Sequence, residues 1–204
     1  MRLFALSLLL LVLCACTGGS GNAPSNQGGR PTDVSTGYPP TLEGARDLLR
    51  EFLAKDANVL KLRSQLKPTL AELEKIYQPA FLEKAEQGEN KLWPITLRDP
   101  DLKRDAAQTE VLVYAATTAQ LAAWQSPTRE EFGDEPKILH KSNFARVPQY
   151  VHEGLTFYRF KFVKPGEKLG AVYAALLVHV NGRWVLIWNP VYLVEFHDDI
   201  MARK

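Results

Sequence analysis

The residues of this sequence that could do chemistry are four histidines and two cysteines. The histidines are His140, His152, His179 and His197, and no two have the spacing of a zinc-binding HExxH motif. GxSxG, P-loop and GxGxxG patterns do not occur in the sequence. His140 and His152 share a polar stretch with two carboxylates, Asp134 and Glu135, and the four could meet at a metal ion. Their spacing favours solvated loop side chains, so the sequence predicts no metal, no cofactor and no catalytic residue.

The best candidate binding site combines one histidine with aromatic residues of the C-terminal third. Alternation along residues 155–163 places Tyr158 and Phe160 on one face of a strand. The hairpin that follows places His179, Trp184 and Trp188 on one face of the next two strands. These side chains could line an apolar pocket in which His179 acts as acid or base. Core packing explains the same aromatic residues without a ligand, and the sequence favours it.

A two-residue turn sets the register of that hairpin. Asn181-Gly182 is typical of a type I′ turn, because both of its central positions need positive φ. The turn predicts four cross-strand pairs, which are Val180–Arg183, His179–Trp184, Leu177–Leu186 and Ala175–Trp188. A slip of one residue would exchange the two faces of both strands.

The N-terminus has the pattern of a targeting segment. Arg2 precedes an apolar run over residues 3–16, which is shorter than the ~20 residues that a membrane-spanning helix needs. The run ends in Leu13-Cys14-Ala15-Cys16, with a Leu three residues before Cys16 and a small residue directly before it. This pattern resembles the lipobox of bacterial lipoproteins. An ordinary secretory signal remains the alternative.

The lipobox resemblance implies a specific maturation. Residues 1–15 would be a signal peptide, cleaved after Ala15, and Cys16 would carry a diacylglycerol thioether and an N-terminal acyl chain, such as palmitate. Two or three acyl chains anchor a protein stably, whereas one is marginal. Thr17 follows the cysteine, and the absence of Asp there favours the outer membrane in a Gram-negative organism.

Residues 16–40 are predicted to be the lipidated cysteine and a disordered tether. Positions 17–40 contain six glycines and four prolines, and almost nothing apolar. Such a segment cannot bury enough surface to offset the entropy of ordering it. As a flexible coil it would reach about 27 Å. A segment that folds on contact with a partner is the less favoured alternative.

Residues 41–204 are predicted to form one α+β domain, in which the helices come first. Thr41 is a suitable N-cap for an amphipathic helix, and a second short helix follows before residue 68. Thr69 and Glu72 form a capping-box pattern, and Pro79 suits the first turn of a further helix that ends near Gly88. Residues 93–103 are then interpreted as a loop with a short strand at 95–97.

The remaining segments favour a sheet. Residues 109–114 and 155–163 have strand patterns, residues 117–124 a helical one, and residues 126–154 form a long polar connection. The nearly continuous apolar run 170–180 indicates a central strand. The fold class is therefore α+β, with N-terminal helices packed on one side of a curved antiparallel sheet that ends in a C-terminal β-meander.

The order of elements over residues 41–190 resembles the cone-shaped fold of the ketosteroid isomerase and nuclear transport factor superfamily. In that fold a cavity in the cone binds small hydrophobic ligands. The segment VNGRWVL followed by Pro190 also resembles hairpins of uncharacterised bacterial exported proteins. Neither resemblance carries functional residues over to this chain.

The sequence favours a non-enzymatic role and leaves enzyme activity open. With 25 Lys+Arg and 23 Asp+Glu, the chain has no overall charge that would attract nucleic acid. The leading hypothesis is a lipid-anchored protein of the cell envelope that binds the membrane through its anchor and an envelope protein or cell-wall component through its body. The alternatives are a carrier of a small apolar ligand and an isomerase- or hydrolase-like enzyme, both using a cone-shaped cavity.

Overall fold

An antiparallel sheet forms the centre of the computed structural model, which describes residues 33–98, 105–125, 143–168, 170–172 and 175–203. Its strands are β1 (Glu110–Thr117), β2 (Thr156–Val163), β3 (Gly170–Val172), β4 (Ala175–Val180) and β5 (Arg183–Trp188). Neighbouring strands follow the order β1-β2-β4-β5, and β3 pairs with β2 beside β4. The sheet and the helices that precede it confirm the predicted α+β class.

Helices lie before, between and after the strands. They are α1 (Leu42–Arg50), α2 (Val59–Gln65), α3 (Leu70–Ile76), α4 (Pro79–Arg98), α5 (Thr118–Ala123), α6 (Pro190–Glu195) and α7 (His197–Met201), with 3₁₀ helices at Glu51–Leu53 and Asn143–Gln149. Thr41 caps α1 by accepting a hydrogen bond from the Gly44 N–H, and Thr69 with Glu72 forms the predicted capping box of α3. Among these described helices, none is long and apolar enough to cross a membrane.

The predicted hairpin is confirmed residue by residue. All four expected cross-strand pairs, from Val180–Arg183 to Ala175–Trp188, are present between β4 and β5. Asn181 has φ 51° and Gly182 has φ 76°, as a type I′ turn requires. The turn chemistry and the apolar pattern specify the same register, which explains why the sequence predicted it correctly.

Helix α4 is longer than the sequence predicted. Its expected end at Gly88 is wrong. The loop and short strand expected from residue 93 are also wrong as far as Arg98, where the helix ends. The glycine permits a close approach, since a Cβ on Gly88 would lie 2.8 Å from Leu193 Cδ2 in α6. Beyond it, Leu92 and Trp93 are almost fully buried in two different apolar clusters. Because these two residues pack into both clusters, the helix continues through Pro94, although proline locally favours a helix end.

The sheet is covered on both faces, whereas the sequence predicted helices on one side. One face carries Leu176, Val178, Val185 and Ile187, and it packs against α3 to α7 in what we call the first core. The other face carries Tyr158, Phe160, Phe162, Leu177, Trp184 and Leu186, and it packs against α1 and α2 in the second core. The two faces of the hairpin are thus separated as the predicted register requires, with Trp188 as the exception described below.

Strand β2 is buried on both faces, whereas the alternation of its aromatic residues with Arg159 and Lys161 predicts a half-buried strand. Arg159 and Lys161 are 1 % and 5 % exposed. The Arg159 guanidinium carbon lies 5.1 Å from the Phe144 ring centroid, and the Lys161 ammonium nitrogen lies 5.4 Å from that of Tyr114. Burial lowers the pKa of Arg159 to about 10 and also lowers the pKa of Lys161.

The folded body begins before the predicted boundary at residue 41. Residues 33–40, which we call the strap, were assigned to the tether, but Val34 and Ser35 have no exposed surface. Val34 belongs to the second core, and the Tyr38 hydroxyl donates to Glu51 Oε1 at 2.6 Å. A single valine and a single tyrosine in a Gly- and Pro-rich context gave too weak a signal to predict this packing.

Candidate functional site

Three of the five residues of the predicted pocket, Tyr158, Phe160 and Trp184, lie in the second core, and His179 contacts this set. The Tyr158 and Trp184 rings meet edge to face at 4.9 Å, and the His179 ring meets Trp184 at 5.2 Å. Phe160 and Trp184 have no exposed surface, and Tyr158 is 6 % exposed. These aromatic side chains fill the space that a bound ligand would need, so they act as core at this position.

Trp188 lies apart from the other four. Strand alternation assigned it to the face of Trp184, but its ring packs against the first core and lies 6.3 Å from the Tyr192 ring. Trp188 is the last residue of β5, and α6 begins two residues later at Pro190, after the N-cap Asn189. The change from strand to helix explains why period-two alternation fails at this residue.

The strap covers the aromatic set from outside. The backbone N–H of Trp184 donates to the Ser35 carbonyl at 2.6 Å, and its indole N–H donates to the Tyr38 carbonyl at 3.0 Å. The Tyr158 hydroxyl donates to the Pro40 carbonyl at 3.2 Å. The segment that the sequence assigned to a tether therefore satisfies the polar atoms of two predicted pocket residues.

A small cleft remains beside His179. Its volume is about 150 Å³, and it is lined by Pro40, Gly154, Leu155, Thr156, Tyr158 and His179. Burial lowers the pKa of the half-buried His179 imidazole, so the neutral form predominates at pH 7. A neutral imidazole can donate and accept one hydrogen bond each, which suits contact with a polar group on the rim of a bound molecule.

A larger cleft lies on the other side of Gly154, which lines both clefts. It has a volume of about 320 Å³ and is lined by Thr118, Ala119, Ala122, Pro148, Val151, His152, Glu153 and Gly154. The Thr118 hydroxyl accepts a hydrogen bond from the Gly154 N–H at 3.0 Å, and the His152 N–H donates to the Ile76 carbonyl at 2.9 Å. These bonds fix the turn between α5 and α3. The lining is mostly apolar with a few polar groups, as in small binding sites.

Sequence reasoning missed a buried carboxyl group in α4. Glu89 is 1 % exposed, and its Oε1 accepts a hydrogen bond from the Trp188 N–H at 2.8 Å. Burial raises the pKa of Glu89 to about 8, although the Trp188 and Trp93 hydrogen bonds and the charge of Lys67 oppose the shift. Burial and the Glu89 charge also raise the pKa of the Tyr77 hydroxyl. The sequence gave no sign of this position, because Glu89 follows Gly88, where the helix was predicted to end.

Glu89 belongs to a set of groups that close the edge of the sheet. Strand β5 is at one end of the strand order, and its alternate N–H groups point away from β4. The Trp184 N–H donates to Ser35 and the Leu186 N–H to the Leu66 carbonyl at 2.8 Å, while the Trp188 N–H donates to Glu89. The strap, the end of α2 and the α4 carboxyl thus satisfy an edge that could otherwise pair with another strand.

The remaining candidates from the sequence are the possible metal ligands, the lipid site and His197. Among the residues that the structure describes, no group of three His, Cys, Asp or Glu side chains is arranged to hold a metal ion. His140, with Asp134 and Glu135, lies outside the described residues, as does the predicted lipid site Cys16. His197 belongs to α7 and contacts Gln87 Oε1 through Nε2 at 3.0 Å.

Comparison with known proteins gives no match for this chain. No protein-family model, no curated protein and no solved structure matches it.

Proposed function

We propose that this protein is a lipid-anchored lipoprotein of the bacterial cell envelope whose folded body binds another envelope component through its surface. The anchor part of the proposal rests on residues 1–16, in which a short apolar run ends at Leu13-Cys14-Ala15-Cys16. Thr17, rather than Asp, after the cysteine favours the outer membrane if the organism is Gram-negative.

Binding through the surface, the second part of the proposal, is supported by the packing of the predicted aromatic pocket. Phe160 and Trp184 are fully buried, and the strap covers Trp184 from outside. An interior site for a small apolar ligand would need this space to be open. The packing therefore favours recognition at the surface, where the clefts on either side of Gly154 are available.

The start of the strap limits the distance between the body and its anchor. Val34 is buried in the second core, and 17 residues, 17–33, separate it from Cys16. A coil of that length, which the composition predicts, reaches about 23 Å. The tether would hold the body within a few nanometres of the membrane surface, where an envelope protein or the cell wall is accessible.

A second candidate function is a carrier of a small apolar molecule, or an isomerase- or hydrolase-like enzyme. The 320 Å³ cleft beside His152 and Glu153 favours it, since this volume is at the lower end of the range for small-molecule sites. His179, the acid or base of the sequence hypothesis, lines the smaller cleft. In this candidate function the ligand would bind in the 320 Å³ cleft, and not in a cone-shaped cavity.

The anchor is tested with a matched pair of cysteine variants. In cells given a labelled fatty acid, we expect Cys16→Ala to lose the label and leave the membrane fraction, because the thioether has no acceptor. Cys14→Ala removes a neighbouring thiol from the same segment and should leave both properties unchanged. Labelling that persists in Cys16→Ala, or that is lost only in Cys14→Ala, would show the assignment to be wrong.

The binding role is tested by crosslinking in intact cells. A photoreactive residue in place of the exposed Glu153, on the rim of the larger cleft, should capture a specific envelope component. The same residue in place of the exposed Asp47 on α1 is the matched control. Equal capture at both positions, or none at either, would count against the clefts as the recognition surface.

A further inference from the structure

The chain that comes from the proposed lipid anchor enters the folded body beside helix α2. The backbone N–H of Val34 donates to the side-chain oxygen Oε1 of Gln65 at 3.4 Å. One residue later, the Ser35 hydroxyl accepts a hydrogen bond from Arg183, whose guanidinium also bonds to the Gln65 backbone carbonyl. Val34 and Ser35 have no exposed surface. The tether therefore meets the body at the end of α2.

This entry point limits which side of the body can lie on the membrane. Residues 17–33 join Cys16 to Val34, and when fully extended such a segment spans at most about 60 Å. A folded domain of this size has a radius of gyration of about 15 Å and is about 40 Å across. To bring the far side of the body to the membrane, the tether would have to follow half the circumference, which is about 60 Å, and would lose its conformational freedom. The surface around α2 is thus the side that the tether holds nearest the bilayer.

The outward side of α2 combines lysines with exposed leucines. Leu62, Arg63 and Leu66 are buried on its inner side. Leu60 and Leu70 are 49 % and 46 % exposed, the highest values for large apolar side chains in the part of the chain that the structure describes. Together with four exposed polar residues close to them in the chain, they form what we call the α2 surface: Lys55, Leu60, Lys61, Ser64, Lys67 and Leu70.

The chain segment that carries the α2 surface is basic. Residues 54–71 contain one carboxylate, Asp56, and their net charge is +3 because they hold four cations, Lys55, Lys61, Arg63 and Lys67. The next exposed charges along the chain, Glu74 and Lys75, offset each other. The whole chain has a net charge of only +2, so the other residues together are slightly acidic. Positive charge is therefore concentrated on the side of the body where the tether enters.

The lysines of the α2 surface are available to an anionic partner. Within the described ranges, Lys55, Lys61 and Lys67 form no ion pair. The carboxylate of Asp33, at the start of the strap, accepts two hydrogen bonds within the strap. Ammonium groups beside exposed leucines suit the surface of an anionic bilayer, where the lysines meet phosphate headgroups and the leucines enter the interfacial region. A soluble anionic polymer would engage the lysines and leave the leucines in water.

We propose that the α2 surface rests on the anionic phospholipid bilayer that holds the anchor, so that the body has a fixed orientation on the membrane. The proposal goes beyond the proposed function and rests on it for the lipid anchor. Each lysine near an anionic surface favours the docked state about fivefold, which corresponds to about 1 kcal/mol. This contact is weak beside two or three acyl chains, so the anchor is still needed for membrane binding. No residue of the α2 surface lines the clefts at Gly154, which stay available to an envelope component.

The test is fluorescence quenching on the full mature chain, lipidated at Cys16 and reconstituted in vesicles that carry a quencher on the lipid headgroup. The vesicles are a mixture of phosphatidylglycerol and phosphatidylcholine. Ser64→Cys puts a fluorophore on the α2 surface. Met201→Cys puts it at a 41 % exposed site on α7, which packs on the other face of the sheet through Ile200. Quenching at position 64 should exceed quenching at position 201 severalfold.

The charge dependence of the contact is tested in the same vesicles. In the Ser64→Cys chain, Lys61→Gln should lower the ratio of docked to free protein about fivefold. The matched control, Lys84→Gln at an exposed site on α4, should leave it within about twofold. Vesicles of phosphatidylcholine alone, or about 1 M salt, at which the Debye length is about 3 Å, should reduce quenching at position 64 to that at position 201.

Three results would overturn the proposal. Equal quenching at the two labelled positions would show a body that turns freely on its tether. Quenching at position 64 that neither Lys61→Gln nor neutral vesicles reduce would show that anionic headgroups are not recognised. A fluorophore at position 64 that responds to purified anionic cell-wall polymer, and not to lipid, would make the α2 surface a polymer-binding site. Thermal unfolding checks the fold of each variant, and the mass of the N-terminal peptide confirms lipidation before reconstitution, so failure of the anchor is distinguished from failure of the contact.

Discussion

Glu89 in α4 accepts the backbone N–H of Trp188, at the last position of the edge strand β5, over 2.8 Å. This bond joins α4 to the end of the sheet, where Trp188 packs against the first core. The carboxyl group is almost fully buried, and burial raises its pKa to about 8. Near neutral pH the side chain therefore retains a proton in the folded protein that it would lose on unfolding.

The stability of the protein should depend on pH through Glu89. The pKa of Glu89 is about 8 in the folded protein and 4.5 for a solvated glutamate, so the contribution of this group is fully present below pH 4.5 and is lost as pH rises through 8. The loss is at most about 5 kcal/mol. Urea unfolding at pH 5 and pH 9 should show a fall in the unfolding free energy of the wild type that is much smaller in Glu89→Gln. The exposed Glu74→Gln is the control, and parallel falls in all three proteins would contradict the assignment.

Gly44 should be needed for the strap to pack against α1. A Cβ at this position would overlap the carbonyl oxygen of Pro39, and backbone cannot move aside as a flexible side chain does. Gly44→Ala is therefore expected to loosen the strap, although Ala favours a helix by about 1 kcal/mol over Gly. Limited proteolysis should cut residues 33–40 faster in this variant. Gly88→Ala, which meets only the end of the Leu193 side chain, is the comparison, and equal protection of the strap in Gly44→Ala and the wild type would refute the prediction.

The hairpin turn should be held to the helices through Arg183. Its guanidinium bonds to both carboxyl oxygens of Glu72 at 3.0 and 3.1 Å, to the Ser35 hydroxyl at 3.2 Å and to the Gln65 carbonyl. The Glu72 side chain is only 4 % exposed, so Arg183→Met would remove the cation paired with this buried charge and leave the Thr69 N–H and hydroxyl donating to it. The loss should cost about 3 kcal/mol. Arg183→Lys keeps the charge without the fork and should recover part of the loss. A double-mutant cycle with Glu72→Gln measures the coupling, and strictly additive effects would count against it.

The packed second core gives a test that separates the two candidate functions. Phe160 has no exposed surface, so Phe160→Ala should cost about 3–5 kcal/mol and leave an apolar cavity. A small apolar probe such as benzene should raise the melting temperature of this variant but not that of the wild type. Leu60→Ala, at an exposed site, should behave like the wild type. A similar rise in the wild type would indicate an open apolar cavity and favour the carrier function.

The parts of the fold that the sequence predicted are those in which local and long-range preferences agree. At Asn181-Gly182 the turn chemistry and the apolar alternation specify one register, and the structure has it. At Gly88 and Pro94 the local signals favour a helix end, but burial of Leu92 and Trp93 in the two cores outweighs them. A single sequence contains the local signal and not the packing that overrides it.

In the candidate site, too, the sequence predicted what depends on local signals and missed what depends on long-range packing. Tyr158, Phe160, His179 and Trp184 were correctly placed together, because strand periodicity is a local property. Their filling of the space, and the strap over them, depend on contacts between residues more than 100 positions apart, such as Trp184 with Tyr38. Trp188 was wrongly placed with these four residues, because the sequence predicted no helix after Pro190 that would turn the chain at the end of β5.

The most direct test of the central claim is the mass of the mature N-terminal peptide. If this protein is a lipid-anchored lipoprotein, mass spectrometry of the chain purified from membranes should find Cys16 as the first residue, carrying a diacylglyceryl group and, in an organism that completes the modification, a third acyl chain. A mature chain that begins at a residue other than Cys16, or one whose Cys16 bears a free thiol, would contradict the account.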